Sequence, residues 1–395
     1  MMKVGILVYR QYPFISANTA IAYEIGEELN RRYGHEIIFI GYKQDNDQNE
    51  VRDYKDFPIY FFNKKIYSAT RLKYANYIKR IIGLNYEAIA GAKGLKRILS
   101  DNKLDALICF CAPSITAAIV EAAKLDMPCI MFQLDPYYNV GDTENSKLKE
   151  EFIRITGRFK EVFTTDLLYK IYIEDKRLAE VALEKFSVAQ FPKINKARYN
   201  TAVSGNRKTA RFLYAGTLYQ SIRPPEVLIA LRKCLPTEYE LVYCGKLESS
   251  ELEKTFGEAG IKCMGYCSQE RLQKELQEAD ILVNIGNRVR NQLGSKLIEY
   301  ISTGKPILNV MLIDDCPTEP VLMNYKLHLS VYFTDMKNSV QKIQTQIHKF
   351  AENSLGKQEP WDTIKKYYEP YTIEYVAKQV QDALIRTGGA KDDAD

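Results

Sequence analysis

The chain has 395 residues, 46% of them hydrophobic, with 55 basic and 50 acidic side chains and a formal net charge of +5. That is ordinary globular material, long enough for two or three core-forming units. So mild a charge imbalance lends nucleic-acid binding no support, and no nucleic-acid motif is present.

Met1 leads straight into a strand predicted over 3–9, so no signal peptide is expected, and no apolar run of membrane-spanning length follows. The apolar runs predict further strands over 36–42, 58–62, 105–111, 128–133, 161–164 and 186–190. Helical spacing is clearest at 18–33, 86–100 and 114–125. Between the second and third strands lies a loop, 43–53, that is polar except for Val51. After the third, residues 61–99 interleave basic side chains (Lys64, Lys65, Lys79, Arg80, Lys93, Arg97) with aromatics, and only Glu87 offsets them. Such a stretch suits an anionic membrane surface, or is a solvated face around a core. The polar segment 193–209 has few apolar anchors and reads as a linker.

A second series of strands follows at 210–216, 240–245, 261–263, 280–284, 306–312 and 329–332. A last helix over 372–386 comes after the segment 361–368, and the tail 388–395 is small, charged and expected to be disordered. Strands alternating with helices throughout are the signature of parallel sheets covered on both faces, so the α/β class is expected. The eight cysteines sit mostly in apolar runs, as buried thiols of a cytosolic protein would, and no pair has the two-residue spacing of a zinc knuckle or a redox motif. His35, His328 and His348 have no partner at metal-ligand spacing. No G-x-S-x-G elbow and no P-loop occur.

The richest stretch is Asn291-Gln292-Leu293-Gly294-Ser295-Lys296-Leu297-Ile298-Glu299-Tyr300, continuing to Gly304-Lys305-Pro306. It predicts a loop, a short helix capped by Ser295 and stopped at Gly304, then a buried strand. The N–H groups of residues 294–297 and the helix dipole form an anion site, with Lys296 beside them. Leu297 and Ile301 define the buried face, so Glu299 projects from the other side and is available to a ligand.

This segment resembles the donor-sugar motif of GT-B glycosyltransferases, in particular family four, whose common form reads Pro-Ser-Lys-x-x-Glu-Tyr before a Gly-Lys-Pro strand entry. The resemblance implies two Rossmann-like doubly wound domains facing each other across a cleft. An acceptor domain would span 1–200, a donor domain 201–360, and a helical segment 361–387 would cross back to the first domain. It implies that Glu299 holds the donor ribose and that the helix N-terminus takes the diphosphate. Gly294 stands where the family has proline, and Asn291 where it has a glutamate that contacts the transferred sugar.

The turn 214–218, with Gly216 and Thr217, and the following Arg223-Pro224-Pro225 resemble the first turn of the GT-B donor domain. There a basic residue neutralises the diphosphate, which makes Arg223 the candidate clamp. Gly245 and Lys246 end the next strand in the same way, and Tyr266 falls in the stretch that flanks the base. Asn291 and Gln292 come from a polar loop at the carboxyl end of a strand, the place from which a donor sugar would be contacted. In the first domain, Asp135 follows a buried strand where related enzymes carry a His-Asp pair, here with Leu134 in place of the histidine. Asp135 reads either as an acceptor-orienting or acid/base carboxylate, or as an Asp-Pro turn starter. Residues 16–19 occupy the family's acceptor loop, and Asp45-Asn46-Asp47, which mimics the metal motif of the other glycosyltransferase fold, reads as a solvated turn.

The implied activity is transfer of a hexose from a UDP-, GDP- or dTDP-sugar to a saccharide or lipid-linked acceptor, in cell-surface polysaccharide or glycan biosynthesis. Configuration would be retained. No metal and no further cofactor would be needed, because Arg223, Lys296 and the helix N-terminus stabilise the leaving diphosphate. The protein would be cytoplasmic, or peripheral at the inner face of the cell membrane. A nucleotide-sugar epimerase and a catalytically inactive donor-binding protein on the same fold are the alternatives.

Overall fold

The computed structural model describes residues 1–9, 11, 16–43, 53–63, 86–112, 114–137, 146–174, 183–199, 209–247 and 249–388. The Asp45–Asp47 turn, the part of the basic stretch from 64 to 85 and the tail from 389 lie outside them. Two compact units are present, Met1–Pro192 with Ile373–Asp395, and Lys193–Thr372.

The first unit contains β1 (Lys3–Val8), α1 (Ala17–Tyr33), β2 (Glu36–Lys43), β3 (Asp53–Tyr54), β4 (Phe57–Asn63), α2 (Tyr86–Asp101), β5 (Ala106–Phe110) and α3 (Ile115–Ala123). It continues with β6 (Cys129–Gln133), α4 (Ser146–Thr156), β7 (Glu161–Thr164), α5 (Asp166–Glu174) and β8 (Phe186–Val188). The second unit has α6 (Lys196–Tyr199), β9 (Arg211–Ala215), α7 (Glu226–Cys234), β10 (Glu240–Cys244), α8 (Ser250–Glu258), β11 (Ile261–Cys263), α9 (Gln269–Glu278), β12 (Ile281–Ile285) and α10 (Ser295–Thr303). After these come β13 (Ile307–Met311), α11 (Thr318–Leu322), β14 (His328–Tyr332), α12 (Phe333–Asn338), α13 (Val340–Ser354) and α14 (Trp361–Tyr368). The last helix, α15 (Ile373–Gly388), returns to the first unit.

In the first unit the strand order is β3-β4-β2-β1-β5-β6-β7-β8. All described pairings are parallel except the short β3–β4 hairpin, which the apolar runs did not predict because β3 is only two residues, Asp53–Tyr54. Strands such as Ala106–Phe110 and Cys129–Gln133 are buried along their whole length, as continuous apolar runs in a sheet covered on both faces must be. One face packs Leu7, Leu107, Met131 and Val162 into a core with Leu95 and Ile119 of the covering helices. α15 packs on α1. Its Arg386 Nη2 lies 2.7 Å from both oxygens of the Glu161 carboxylate, and its Gln379 Nε2 donates to the Val188 carbonyl at 2.9 Å.

The second sheet runs β11-β10-β9-β12-β13-β14, with every described pairing parallel. Strand order reverses at β9/β12 here and at β1/β5 in the first sheet. These are the switch points outside whose carboxyl ends open α/β sheets place their ligands. Part of the segment expected to be a linker is docked instead. Asn195 N donates to Ser302 Oγ at 2.7 Å, that hydroxyl donates back to the Asn195 carbonyl at 3.0 Å, and α6 packs on α10. Hydrogen bonds satisfy the backbone of this polar run, and it is anchored as well by the buried Ile194 and by Tyr199, whose ring centroid lies 5.4 Å from that of Trp361.

Candidate functional site

The carboxyl edge of the second sheet is built from three segments: the turn after β9, the loop after β12, and the start of α10. The first turn closes on itself, Arg223 N donating to the Tyr219 carbonyl at 2.7 Å and Tyr219 N to the Arg223 carbonyl at 3.0 Å. The β12 loop is stitched to it through Arg288, whose N donates to the Ile222 carbonyl at 3.0 Å and whose Nη1 donates to the Gln220 carbonyl at 3.2 Å. Arg223 Nε then donates to Asn287 Oδ1 at 2.6 Å, and Asn287 Nδ2 donates to the Gln292 carbonyl at 2.9 Å. Arg223 Nη2 lies 3.5 Å from where a Cβ on Gly294 would stand. The guanidinium is thereby placed against the N-cap of α10, and among the described residues no carboxylate forms an ion pair with it.

α10 is fixed to the sheet by Tyr300, which is 1% exposed. Its hydroxyl accepts from Ala215 N at 3.0 Å and donates to the Ala215 carbonyl at 3.2 Å, tying the helix to the end of β9. Leu297, Ile298 and Ile301 complete the buried side of the helix, and Gly304 ends it in the left-handed conformation at φ 73°. Gly294, not Ser295, is the N-cap, and Ser295 is the first helical residue. With no side chain, the cap residue itself supplies no oxygen to the first-turn donors. The Leu297 N–H bonds the Gly294 carbonyl at 3.2 Å, so it is not one of the open donors expected from the sequence. Among the described residues nothing accepts from the N–H groups of Ser295 and Lys296.

Lys296 and Glu299, read from the sequence as separate ligands, are paired with each other, Nζ to Oε2 at 2.6 Å. Burial alone would push the Glu299 carboxyl up. The cations of Lys296, Arg198 and Lys193 outweigh it and hold the group below its usual range. A Cβ on Gly245 would stand 2.3 Å from the Gly216 carbonyl oxygen, so only glycine permits the backbones after β9 and β10 to touch. Thr217 is half-buried in the first of these turns. Tyr214 stacks on Tyr243 with centroids 6.0 Å apart, and burial raises its hydroxyl while the nearby Arg223 opposes that. Asn291 is buried and Gln292 half-buried in the loop leading to α10. Lys246 is exposed and Tyr266 is 85% exposed, and no hydrogen bond or ion pair among the described residues joins either to Arg223, Lys296 or Glu299.

Asn287, Tyr300, Lys193 and Arg198 were not singled out from the sequence as site residues. The rule that ligands gather at strand carboxyl ends points to the loop after β12, but nothing local distinguishes Asn287 from its polar neighbours.

In the first unit, Ser16 caps α1 by accepting from Thr19 N at 3.1 Å, and Asn18 Nδ2 donates to Asp135 Oδ2 at 3.0 Å. The first turn of α1 and the segment just after β6 therefore meet beside that sheet's switch point. Burial raises the nearby Cys111 thiol to about 12, with the Asp135 and Glu151 charges adding to it. All eight cysteines are free thiols. Among the described residues no three His, Cys, Asp or Glu side chains gather as a metal site, and no helix is long and apolar enough to cross a membrane.

No protein-family model and no curated protein sequence matches the chain. Solved structures do. Sucrose-phosphate synthase from Thermosynechococcus elongatus superposes with a TM-score of 0.73 at 11% identity, over 98% of this chain and 99% of that one. HepE from Anabaena, in complex with UDP and glucose, gives 0.68 at 12% over 97% and 99%. The lipopolysaccharide outer core galactosyltransferase WaaB gives 0.61 at 15% over 98% and 99%. A putative UDP-N-acetylglucosamine 2-epimerase from Listeria monocytogenes also matches, at 0.61 and 12% over 97% and 95%. The chain has the GT-B glycosyltransferase fold.

Proposed function

We propose that the protein is a glycosyltransferase that takes a hexose from a UDP-, GDP- or dTDP-sugar and delivers it to a saccharide or lipid-linked acceptor. The observation that carries this reading is Arg223, held at the β9/β12 switch point against the N-cap of α10 with no carboxylate neutralising it among the described residues. A guanidinium beside a helix N-terminus is suited to a diphosphate, whose negative charge grows as the sugar leaves. In this reading Lys296 adds to the same clamp, Glu299 takes the ribose hydroxyls, Asn291 and Gln292 contact the sugar, and Tyr266 lies along the base. Gly216, Thr217, Gly245 and Lys246 line the approach. Asp135, oriented by Asn18, is the candidate for positioning or deprotonating the acceptor. The complex of HepE with UDP and glucose supports a nucleotide-sugar donor. Retention of configuration, metal independence, a role in cell-surface glycan synthesis and a cytoplasmic or inner-membrane-face location belong to the same proposal.

The epimerase reading is favoured by the Listeria match, and the inactive reading by Asn291 in place of the family's glutamate. Incubation with a panel of nucleotide sugars separates the three. Nucleotide released only when acceptor extract is added supports transfer, an epimerised donor without acceptor supports epimerisation, and binding without turnover supports the inactive reading. Docking on anionic membrane through the stretch 61–99, of which Lys93, Lys96 and Arg97 lie on α2, is tested by vesicle sedimentation. Each basic side chain near the surface contributes about 1 kcal/mol, so retention should be salt-sensitive and specific to anionic vesicles. Protein left in the supernatant at low salt would point to a soluble acceptor.

A further inference from the structure

We infer that Asn287 is a positioning residue of the diphosphate site: its neutral amide aims the Arg223 guanidinium at the ligand's phosphates without cancelling the guanidinium's charge. This rests on reading the carboxyl edge of the second sheet as a nucleotide-sugar site. Asn287 is 2% exposed, and both ends of its amide are engaged. Oδ1 takes the Arg223 Nε–H at 2.6 Å, and Nδ2 gives a proton to the Gln292 carbonyl at 2.9 Å, two residues before the N-cap Gly294. Only one orientation of the amide satisfies an N–H donor on one side and a carbonyl on the other, so the geometry also fixes which atom faces Arg223. With Nε engaged, the guanidinium cannot turn freely, and its Nη2 is held against Gly294.

The choice of side chain is informative. An aspartate at 287 would still accept from Arg223. It would, however, neutralise the cation and set a carboxylate against the Gln292 carbonyl, which needs a donor. An apolar residue would leave both groups unpaired. Asparagine alone among side chains of this size joins the β9 turn to the approach of α10 and leaves a full positive charge for an anion. Asn287 and Arg223 are 64 residues apart in sequence, so the link is made only by the fold.

Titration calorimetry of the full chain with UDP, GDP and dTDP tests this. For whichever nucleotide the unaltered protein binds, Asn287→Asp should weaken affinity about tenfold or more, and should flatten its salt dependence because a cation in the site has been neutralised. Asn287→Ala should weaken binding by a smaller factor while keeping the salt dependence. Adding Asn287→Ala to Arg223→Gln should cost less than the two separate losses summed, since Asn287 acts through Arg223. Thermal melts establish that each variant is folded. If the unaltered protein binds a nucleotide and Asn287→Asp binds it equally well, or if the two losses simply add, the assignment is overturned. An unaltered protein that binds none of the three overturns the nucleotide-sugar reading and this assignment with it.

Discussion

Two arginines flank the same strand of the second sheet, and their surroundings differ in kind. Arg211 opens β9 at the amino edge with its side chain only 6% exposed, pairing with Glu275 at 2.6 Å, Glu240 at 2.8 Å and Glu278. Arg223 follows the other end of β9, where its described side-chain partners are neutral, the Asn287 amide and the Tyr214 hydroxyl. The first cation is saturated by carboxylates that knit the β9, β10 and α9 edges together. The second is oriented but left charged beside a helix N-terminus. The same side chain thus serves as structural cement where its charge is neutralised and as a ligand site where it is not, and burial alone would not separate the two roles.

The largest effect expected from this contrast is on stability at the amino edge. Arg211→Met should cost about 3–5 kcal/mol, because it leaves the nearly buried Glu275 carboxylate uncompensated, and guanidinium unfolding measures the loss. Arg223→Ala should leave unfolding within about 1 kcal/mol of the parent, yet lower kcat/KM with donor sugar by about 2–3 kcal/mol, with kcat falling more than KM rises. Equal destabilisation by the two substitutions would erase the distinction between the two ends of β9.

Smaller effects sharpen the carboxyl edge itself. Glu299→Gln keeps shape but removes a charged acceptor, so nucleotide affinity should weaken by about 1–3 kcal/mol in calorimetry. Unchanged affinity would place the ribose elsewhere. The smallest effect concerns the Lys296–Glu299 pair. Because the folded Glu299 carboxyl is held down, the pair stabilises the fold above the unfolded carboxyl range, and that contribution is lost as pH falls through the lower folded value. Carbon-detected NMR should find Glu299 titrating below the ordinary value of about 4.3, with Lys296→Met moving it upward. A midpoint indifferent to Lys296 would mean that Arg198 and Lys193 are sufficient to hold the charge.

Much of this was legible in the chain. Apolar runs bounded by polar turns determined the strands at 106–110 and 129–133, expected over 105–111 and 128–133, and the helix stopped by Gly304, because burial on both faces and the left-handed C-cap are local demands on composition. The Lys296–Glu299 pair was also written in the i,i+3 spacing, although each residue had been read as a separate ligand. The cap at Gly294 went unread because Ser295 is the better capping residue by type, and only the backbone path of the β12 loop decides which residue stands at the boundary. The bonds from Arg223 to Asn287, from Tyr300 to Ala215, from Asn195 to Ser302 and from Asn18 to Asp135 join residues 64 to 117 positions apart. No periodicity encodes such pairs. Sequence determines what a segment buries and where it turns, while the order of strands in the sheet decides which turns come to lie side by side, and hence which polar groups meet.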